Sequence, residues 1–205
     1  FEPQEPSSLE NELRRQLCEF THRGYRQRLF ISTGGSFSAR VDDESFLITP
    51  YQVDRHTLTA DEIVLVKNGK QEAGKIASRA ARNHAAIYAK HPNIKAIINS
   101  FPVNTTAFGV TRTKLESRTI PESYILLHDV GDAPYGSQFH NGEELADKLS
   151  LESPILLLEN DGVLVVGKSV LDAFDRLEVL ESTAEALINS RILGQVSPMS
   201  DGVIE

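Results

Sequence analysis

An apolar run over residues 94–98 most strongly constrains what this chain can fold into. The run contains Ile94, Ile97 and Ile98, and it ends in Asn99-Ser100-Phe101-Pro102. Continuous apolar runs of this length are typical of strands that are covered on both faces, whereas half-exposed strands alternate between apolar and polar residues. The sequence therefore predicts a central, buried strand in a sheet that helices cover.

Helical spacing and capping residues predict the helices. Ser7 and Glu10 have the spacing of a capping box in front of an amphipathic leucine stripe. Asn141 and Ser169 are predicted N-caps, because their side-chain oxygens can accept hydrogen bonds from the first-turn N–H groups. The predicted helices span residues 7–24, 78–91, 103–108, 141–145 and 169–194.

Short runs of strand-forming residues, separated by turn residues, predict the other strands. Asn68-Gly69 readily adopts the positive backbone angles of a tight hairpin turn. Asn160-Asp161-Gly162 separates the two arms of a second predicted hairpin. Helices and strands together favour an α/β protein with a mixed sheet. The predicted strands span residues 29–32, 37–41, 46–49, 63–67, 94–98, 124–127, 155–158 and 163–166.

Length, charge and cysteine content exclude several classes of protein. A chain of 205 residues that is 40% hydrophobic is expected to form one domain, 1–205. The formal net charge of -8 disfavours nucleic acid and anionic membranes as partners. All apolar runs are far shorter than the about 18 residues of a membrane span, and no signal-peptide pattern opens the chain. Because Cys18 can form no internal disulfide, we expect a soluble, cytoplasmic protein.

Six segments, in order along nearly the whole chain, resemble the class II aldolase and adducin domain. The resemblance implies a three-layer α/β fold, with a mixed and mostly antiparallel central sheet between helices. The six segments are Gly35-Ser36-Phe37-Ser38-Ala39-Arg40, Phe46-Leu47-Ile48-Thr49-Pro50, residues 58–64, His84-Ala85-Ala86-Ile87-Tyr88, His91-Pro92 and residues 160–169.

The resemblance also implies where a catalytic metal should lie. Lyases of the family hold a divalent metal, usually zinc, with three histidines and a glutamate, and the metal acts as a Lewis acid on a sugar carbonyl. The matching positions here are Asn99, Phe101 and Asp161 for the histidines and Ala80 for the glutamate. Asparagine is a poor zinc ligand, phenylalanine has no donor atom, and no Asp or Glu occurs in residues 73–115. We therefore predict that the zinc site is lost, with Asn99 and Asp161 facing each other in its place.

A phosphate site is implied by the same resemblance and is only partly altered. Its positions are held by Ser36, Thr49, Ser78 and Arg79, and Arg79 adds a charge where a helix N-terminus already favours anions. Two interpretations stay open for the surrounding basic residues: an anion pocket, or a solvated basic surface. These residues are Lys75, Arg79, Arg82, Lys90, Lys95, Arg112 and Lys114.

Other polar residues are interpreted as structural. His84 is expected to be a partly buried helix residue. Tyr135 resembles a tyrosine that family lyases contribute across a subunit boundary, and it is expected to pack in an interface or loop. Four further residues have spacing that fits no recurrent metal motif, and we interpret them as loop residues: His128, Asp129, Asp132 and His140.

Three functional hypotheses follow. The first is a non-catalytic binding, regulatory or structural subunit, acting as a homo-oligomer (a tetramer by resemblance) or beside an active homologous domain. The second is a metal-independent lyase or epimerase that acts on a sugar phosphate, and the third is an ordinary zinc-dependent aldolase whose ligands lie elsewhere. A small anionic ligand such as a sugar phosphate is the expected partner. Residues 1–6 are interpreted as a lead-in and 195–205 as the start of a tail, so the domain is expected to come from a longer chain.

Overall fold

One eight-stranded sheet runs through the part of the chain that the computed structural model describes, residues 1–140 and 142–204. The strands are β1 (Ser36–Arg40), β2 (Ser45–Ile48), β3 (Val64–Lys67), β4 (Lys70–Gln71), β5 (Ala96–Ser100), β6 (Gly131–Ala133), β7 (Ile155–Leu158) and β8 (Val163–Gly167). Their order across the sheet is β4-β3-β2-β1-β5-β8-β7-β6. The strand predicted from the apolar run, β5, therefore lies in the middle.

The pairing of the strands is mostly antiparallel. β5 pairs antiparallel with β1 on one side and with β8 on the other. Only β6 and β7 run parallel among the described strand pairs. The prediction of a mixed, mostly antiparallel sheet is confirmed.

Helices cover both faces of the sheet. They are α1 (Ser8–Arg26), α2 (Ala81–Lys90), α3 (Val103–Thr111), α4 (Pro121–Leu127), α5 (Glu143–Lys148), α6 (Val170–Leu193) and α7 (Asp201–Ile204). None of them, within the described ranges, combines the length and apolar character needed to cross a bilayer.

Alternate side chains of the central strands enter two separate cores. Ala96 and Ile98 point into a core shared with α1, α3, α4 and α6, whereas Ile97 points into a core shared with α2 and α5. Side chains of successive strand residues point to opposite faces, so a strand with both faces covered must be apolar throughout. The three-layer architecture follows directly from this continuous apolar run.

Two predicted N-caps form, although the Glu10 carboxylate binds Arg14 and the predicted capping box is formed by the Ser7 side chain alone. Ser7 Oγ accepts a hydrogen bond from the Glu10 backbone N–H at 3.1 Å, and Ser169 Oγ accepts one from Asp172 N–H at 3.0 Å. Gly194 ends α6, as expected. The predicted cap Asn141 lies outside the described residues.

Two of the predicted strands are wrong. Residues 29–32 form a turn after α1, in which the Leu29 and Phe30 N–H groups both donate to the Gly24 carbonyl. Their side chains are buried, so their apolar character serves core packing without strand pairing. Residues 124–127 belong to α4, which begins at Pro121, because proline favours the first turn of a helix. A four-residue apolar run does not by itself distinguish a strand from a helix.

The approach of the β7–β8 turn to β5 gives a stability prediction. A methyl group added at Gly162 would lie 2.0 Å from the Ser100 carbonyl oxygen, which is part of the β5 backbone and cannot move aside. Gly162→Ala is therefore expected to lower the free energy of unfolding by about 3 kcal/mol. Gly194→Ala is the control, since nothing lies within 4 Å of its added methyl group, and should change stability by less than about 0.5 kcal/mol. Urea unfolding followed by circular dichroism measures both, and equal stabilities would contradict the close approach.

Candidate functional site

The register of the strands brings the predicted site residues together at one end of the central strands, which forms one edge of the sheet. Ser36 at the start of β1 is paired with Asn99 near the end of β5, and Ser100 is paired with Val163 at the start of β8. The loops that precede β1 and β8 therefore meet the segment that follows β5. This edge holds three of the four positions at which the family resemblance implies metal ligands.

Asn99 belongs to a buried chain of hydrogen bonds. Its Oδ1 atom accepts from His84 Nε2 at 2.7 Å, which leaves Nδ1 of the neutral ring to accept from the Ser38 hydroxyl at 2.7 Å. The Tyr88 hydroxyl lies 2.8 Å from Ser38 Oγ and completes the chain. Burial lowers the pKa of His84 to about 4, so the ring is neutral near pH 7. Both imidazole nitrogens are occupied by protein groups.

The order Ser38, His84, Asn99 resembles the nucleophile, base and orienting group of a hydrolase. Ser38 and His84 are, however, both fully buried beneath the sheet face. A nucleophile must reach a substrate carbonyl carbon, and no substrate can reach the Ser38 hydroxyl in this structure. The chain of hydrogen bonds is therefore structural, as expected for His84.

Asp161 has a different partner from Asn99. The Gln138 side-chain amide N–H donates to the Asp161 carboxylate. The backbone carbonyl of Gln138 accepts from Asn83 Nδ2 at 3.0 Å. Burial raises the pKa of Asp161 above its ordinary value. The sequence predicts that Asn99 and Asp161 face each other, with a bond to each other or to a trapped water left open; in the structure α2 supplies His84 to Asn99, and the loop before α5 supplies Gln138 to Asp161. Neither partner could be read from local sequence spacing.

Phe101 fills space beside two glycines. Its ring atoms lie 3.8 Å and 2.9 Å from the points where side chains at Gly34 and Gly162 would begin. The ring remains 39% exposed at the sheet edge. Ala80 lies at the N-terminus of α2, where it offers only a methyl group. Phe101 and Ala80 thus provide contact surface and no metal-donor atom.

These residues do not fit the metal that the resemblance implies. Zinc in proteins takes thiolate, imidazole and carboxylate donors, usually four of them around the ion. Within residues 1–140 and 142–204, no group of three or more His, Cys, Asp or Glu side chains comes together in a way that could hold a metal ion. This covers His128, Asp129, Asp132 and His140, of which Asp129 lies 3.5 Å from Arg118 in an ion pair.

Three of the four predicted anion-binding residues do come together. The Ser36 and Ser78 hydroxyls are hydrogen-bonded to each other, and both side chains are buried. Thr49 Oγ1 accepts from the Phe37 N–H at 3.1 Å, and the Thr49 carbonyl accepts from the Ser78 N–H at 3.1 Å. Arg79 is exposed beside them, with its guanidinium 5.4 Å from the centre of the Tyr51 ring. The three hydroxyls are therefore hydrogen-bonded to protein atoms, whereas the Arg79 side chain is exposed to solvent beside them.

Arg55 supports this region and is not predicted by the sequence. Its buried guanidinium donates to the carbonyls of Gly35 at 2.7 Å, Pro50 at 3.0 Å and Val53 at 2.9 Å. Burial lowers its pKa to about 10, which still leaves it charged near pH 7. The side chain joins the loop before β1 to the loop after β2. A single arginine in a polar loop carries no pattern that would have indicated this role.

The basic residues of the acid-free segment do not act as one group. Three of them pair with acidic residues, one with a glutamate three residues earlier and two with carboxylates that are distant in the chain. Lys75 lies 3.0 Å from Glu72, Arg112 lies 3.4 Å from Glu159, and Lys90 pairs with Asp147. These ion pairs favour the interpretation of a solvated surface for these three residues. Arg79, in contrast, lies next to the hydrogen-bonded pair Ser36 and Ser78, which we call the serine cluster.

The helix N-terminus that follows β5 already holds a carboxylate. Glu181 of α6 accepts from the backbone N–H groups of Asn104 at 3.1 Å and Thr105 at 2.8 Å, and from the Thr105 hydroxyl at 2.9 Å. A helix N-terminus attracts anions through its unpaired N–H groups and its dipole. An internal glutamate satisfies both here.

Tyr135 is an exposed residue that packs against Phe139. It is 61% exposed, and its ring lies 6.0 Å from Phe139 in an edge-to-face arrangement. The described contacts do not join it to Asn99 or Asp161. Its role in an interface stays a prediction.

The chain is similar to known proteins in its sequence and in its fold. The family model described as "Class II Aldolase and Adducin N-terminal domain" matches residues 15–188. A 3-oxo-tetronate 4-phosphate decarboxylase of Haemophilus influenzae is 32% identical over 172 residues, covering 81% of this chain and 80% of that protein. An L-fuculose phosphate aldolase of Methanocaldococcus jannaschii is 28% identical over 175 residues, covering 84% and 93%. The crystal structure of an aldolase II superfamily protein from Pseudomonas syringae superposes with a TM-score of 0.85 at 24% identity, covering 97% and 84%.

The buried His84 predicts a pH dependence of stability. The unfolded chain binds a proton at this residue below its ordinary pKa of 6.5, whereas the folded protein resists protonation down to a pKa of about 4. Stability is therefore expected to fall as pH falls from 6.5 to 4, by up to about 3 kcal/mol from this residue. Urea unfolding at a series of pH values measures the loss.

His84→Gln is expected to flatten this part of the pH profile, although the variant itself will be less stable. His56→Gln, which alters an exposed histidine, is the control and should keep the profile of the parent protein. A profile of His84→Gln that runs parallel to that of the parent would show that His84 is not the group responsible.

Proposed function

This chain belongs to the class II aldolase and adducin N-terminal domain family, and within it we propose that the chain is a non-catalytic member that has lost the metal-dependent lyase site. In this proposal it keeps the scaffold and acts as a binding, regulatory or structural subunit or domain. Its partner is another copy of itself or an active homologous domain.

One observation carries the proposal. The side chains at the four positions where the family resemblance implies metal ligands are bonded to protein or have no donor atom. Asn99 is bonded to His84 and Asp161 to Gln138, while Phe101 and Ala80 offer carbon alone. Restoring a metal centre would require breaking two internal hydrogen bonds as well as replacing the ligands.

A second candidate function is a metal-independent lyase or epimerase acting on a sugar phosphate. The names of the relatives favour it, since an aldolase and a decarboxylase of phosphorylated sugars are among them. Three residues could serve such a reaction, namely Asp161 with its raised pKa and the exposed Tyr135 and Arg79. The third hypothesis, a zinc aldolase with ligands elsewhere, finds no alternative cluster of ligands among the described residues.

The proposal predicts that the protein binds no stoichiometric metal. Protein incubated with zinc or cobalt and then desalted should contain well under one equivalent by mass spectrometry, because the donor atoms are missing or occupied. Asp161→Ala should contain the same residual amount. One equivalent that disappears in Asp161→Ala would overturn the proposal.

The two candidate functions differ in turnover. We expect no cleavage or epimerisation of L-fuculose 1-phosphate or related sugar phosphates, with or without zinc. Turnover that resists a chelator and is lost in Asp161→Ala would favour the metal-independent enzyme.

Thermal shift tests the serine cluster separately. If it receives a phosphate, sugar phosphates should raise the melting temperature, and Arg79→Gln should abolish the rise. Arg82→Gln, at an exposed arginine on the next turn, is the matched control and should preserve it. If no phosphate compound raises the melting temperature, the interpretation of this region as an anion pocket is wrong.

A further inference from the structure

The turn between β3 and β4 presents an asparagine followed by a glycine to solvent. Asn68 and Gly69 are both exposed, and both have left-handed backbones, with φ of 50° and 73°. Such angles are those of the tight hairpin turn that the sequence predicts at this dipeptide. The turn lies at an outer edge of the sheet, because β4 is the last strand on that side. Neither residue belongs to the candidate functional site.

The backbone nitrogen of Gly69 is positioned by the sequence to attack the side-chain carbonyl carbon of Asn68. Bonding of this nitrogen to Asn68 Cγ closes a five-membered ring. The Asn68 N–H donates to the Glu44 carbonyl at 2.9 Å, but no hydrogen bond described for residues 1–140 and 142–204 uses the Gly69 N–H. Glycine has no Cβ, and nothing lies within 4 Å of the point where one would begin. Neither a hydrogen bond nor a side chain therefore obstructs the Gly69 nitrogen.

The Asn68 side chain is held only weakly. Its Nδ2 atom lies 3.4 Å from Glu44 Oε2, which is long for a hydrogen bond between nitrogen and oxygen. Glu44 is itself an exposed residue. Rotation of the Asn68 side chain toward the Gly69 nitrogen therefore costs little.

Ring closure also requires the turn to open, and β4 resists this weakly. The strand has two residues, which pair with β3 at two positions: Gln71 lies opposite Val66, and Lys70 opposite Lys67. Edge segments with few backbone pairs open locally at a much smaller free-energy cost than the whole domain. The folded protein thus samples the backbone rotation that the attack needs.

We propose that Asn68 is a site of spontaneous deamidation in the folded protein. The Gly69 nitrogen loses its proton to solvent and bonds to Asn68 Cγ, while the bond from Cγ to the side-chain nitrogen breaks. Ammonia leaves, carrying a proton from solvent, and a cyclic succinimide remains. Water then opens the succinimide at one of its two carbonyls, which yields aspartate or isoaspartate. Water is the co-reactant, and nothing is oxidised or reduced.

Isoaspartate at this position would alter the hairpin. It routes the main chain through the side-chain carbons and so adds one carbon to a two-residue turn, whose geometry fixes the register of β3 and β4. Glu72 follows β4 directly, and its carboxylate lies 3.3 Å from Arg14 and 3.0 Å from Lys75. A modification at the exposed turn therefore loosens the strand that leads into these ion pairs.

Incubation of the full chain at about pH 8 and about 37 °C, followed by cleavage after glutamate and mass spectrometry, tests the proposal. Residues 63–72 form one such peptide, in which Asn68 is the only asparagine. The mass gain of deamidation should accumulate in this peptide, in two forms that chromatography separates. Its rate in the folded chain should lie within about tenfold of the rate in a free synthetic peptide of the same residues, because the turn opens readily.

Asn160 is the internal control. It also has a positive φ in a hairpin turn, but it precedes an aspartate, whose side chain hinders ring closure. Asn68 should be modified at least about tenfold faster than Asn160. Asn141 precedes a glycine too; it lies outside the described residues and in a different peptide, so its modification does not enter the measurement at Asn68.

Two glycine variants separate the attack from general strain. Gly69→Ala should slow the modification of Asn68 at least about fivefold, because the added methyl group hinders the attacking nitrogen. Gly74→Ala is the matched control, since Gly74 also has a positive φ, 83°, with open space around it, and it should leave the rate unchanged. In the modified fraction, hydrogen exchange of the Glu72 N–H, which donates to the Leu65 carbonyl at 3.0 Å, should be faster than in the unmodified protein.

Three results would overturn the assignment of Asn68. They are a rate in the folded chain more than about tenfold below that of the free peptide, equal rates at Asn68 and Asn160, and an unchanged rate in Gly69→Ala. Unchanged exchange at Glu72 would overturn the effect on the hairpin. The metal and turnover measurements concern other residues, so this proposal and the proposed function can fail independently.

Discussion

The rest of the structure depends on the position of β5 between β1 and β8. This strand is hydrogen-bonded on both sides, and its residues Ala96, Ile97 and Ile98 are buried on both faces, so its register cannot slip without exposing apolar side chains. The same register decides which loops meet at each end of the strand. The candidate site is therefore a consequence of where this one strand lies.

The edge of the sheet beyond Asn99 is organised by internal hydrogen bonds. Unpaired polar groups are costly in a buried environment, and the polar side chains here bind other protein groups, with the exception of Gln138 Oε1, which is buried without a hydrogen-bond partner. His84 binds Asn99, Gln138 binds Asp161, and Glu181 occupies the N-terminus of α3. Groups that satisfy one another in this way are less available to a metal or a substrate. The proposal of a non-catalytic role rests on these bonds.

Arginine side chains join separate segments at both ends of the central strands. At one end Arg55 is buried and donates to three backbone carbonyls, which joins two loops. At the other end the Arg40 guanidinium donates to the carbonyls of Tyr88, His91 and Ile94, which joins β1 to the C-terminal end of α2 and to the segment before β5. A cation that is surrounded by carbonyls is suited to holding such segments together.

The sequence by itself determined the central strand, the helix caps and the hairpins, because these follow from local periodicity and from the preferences of residues close together in the chain. It also determined which residue types stand at the four positions where the family resemblance implies metal ligands. Only the tertiary structure decided that Asn99 pairs with His84, that Asp161 pairs with Gln138, that Arg55 joins two loops, and that residues 124–127 are helical. A side chain's partner depends on which elements pack across the sheet. That choice is set by long-range burial, which no local pattern of apolar residues encodes.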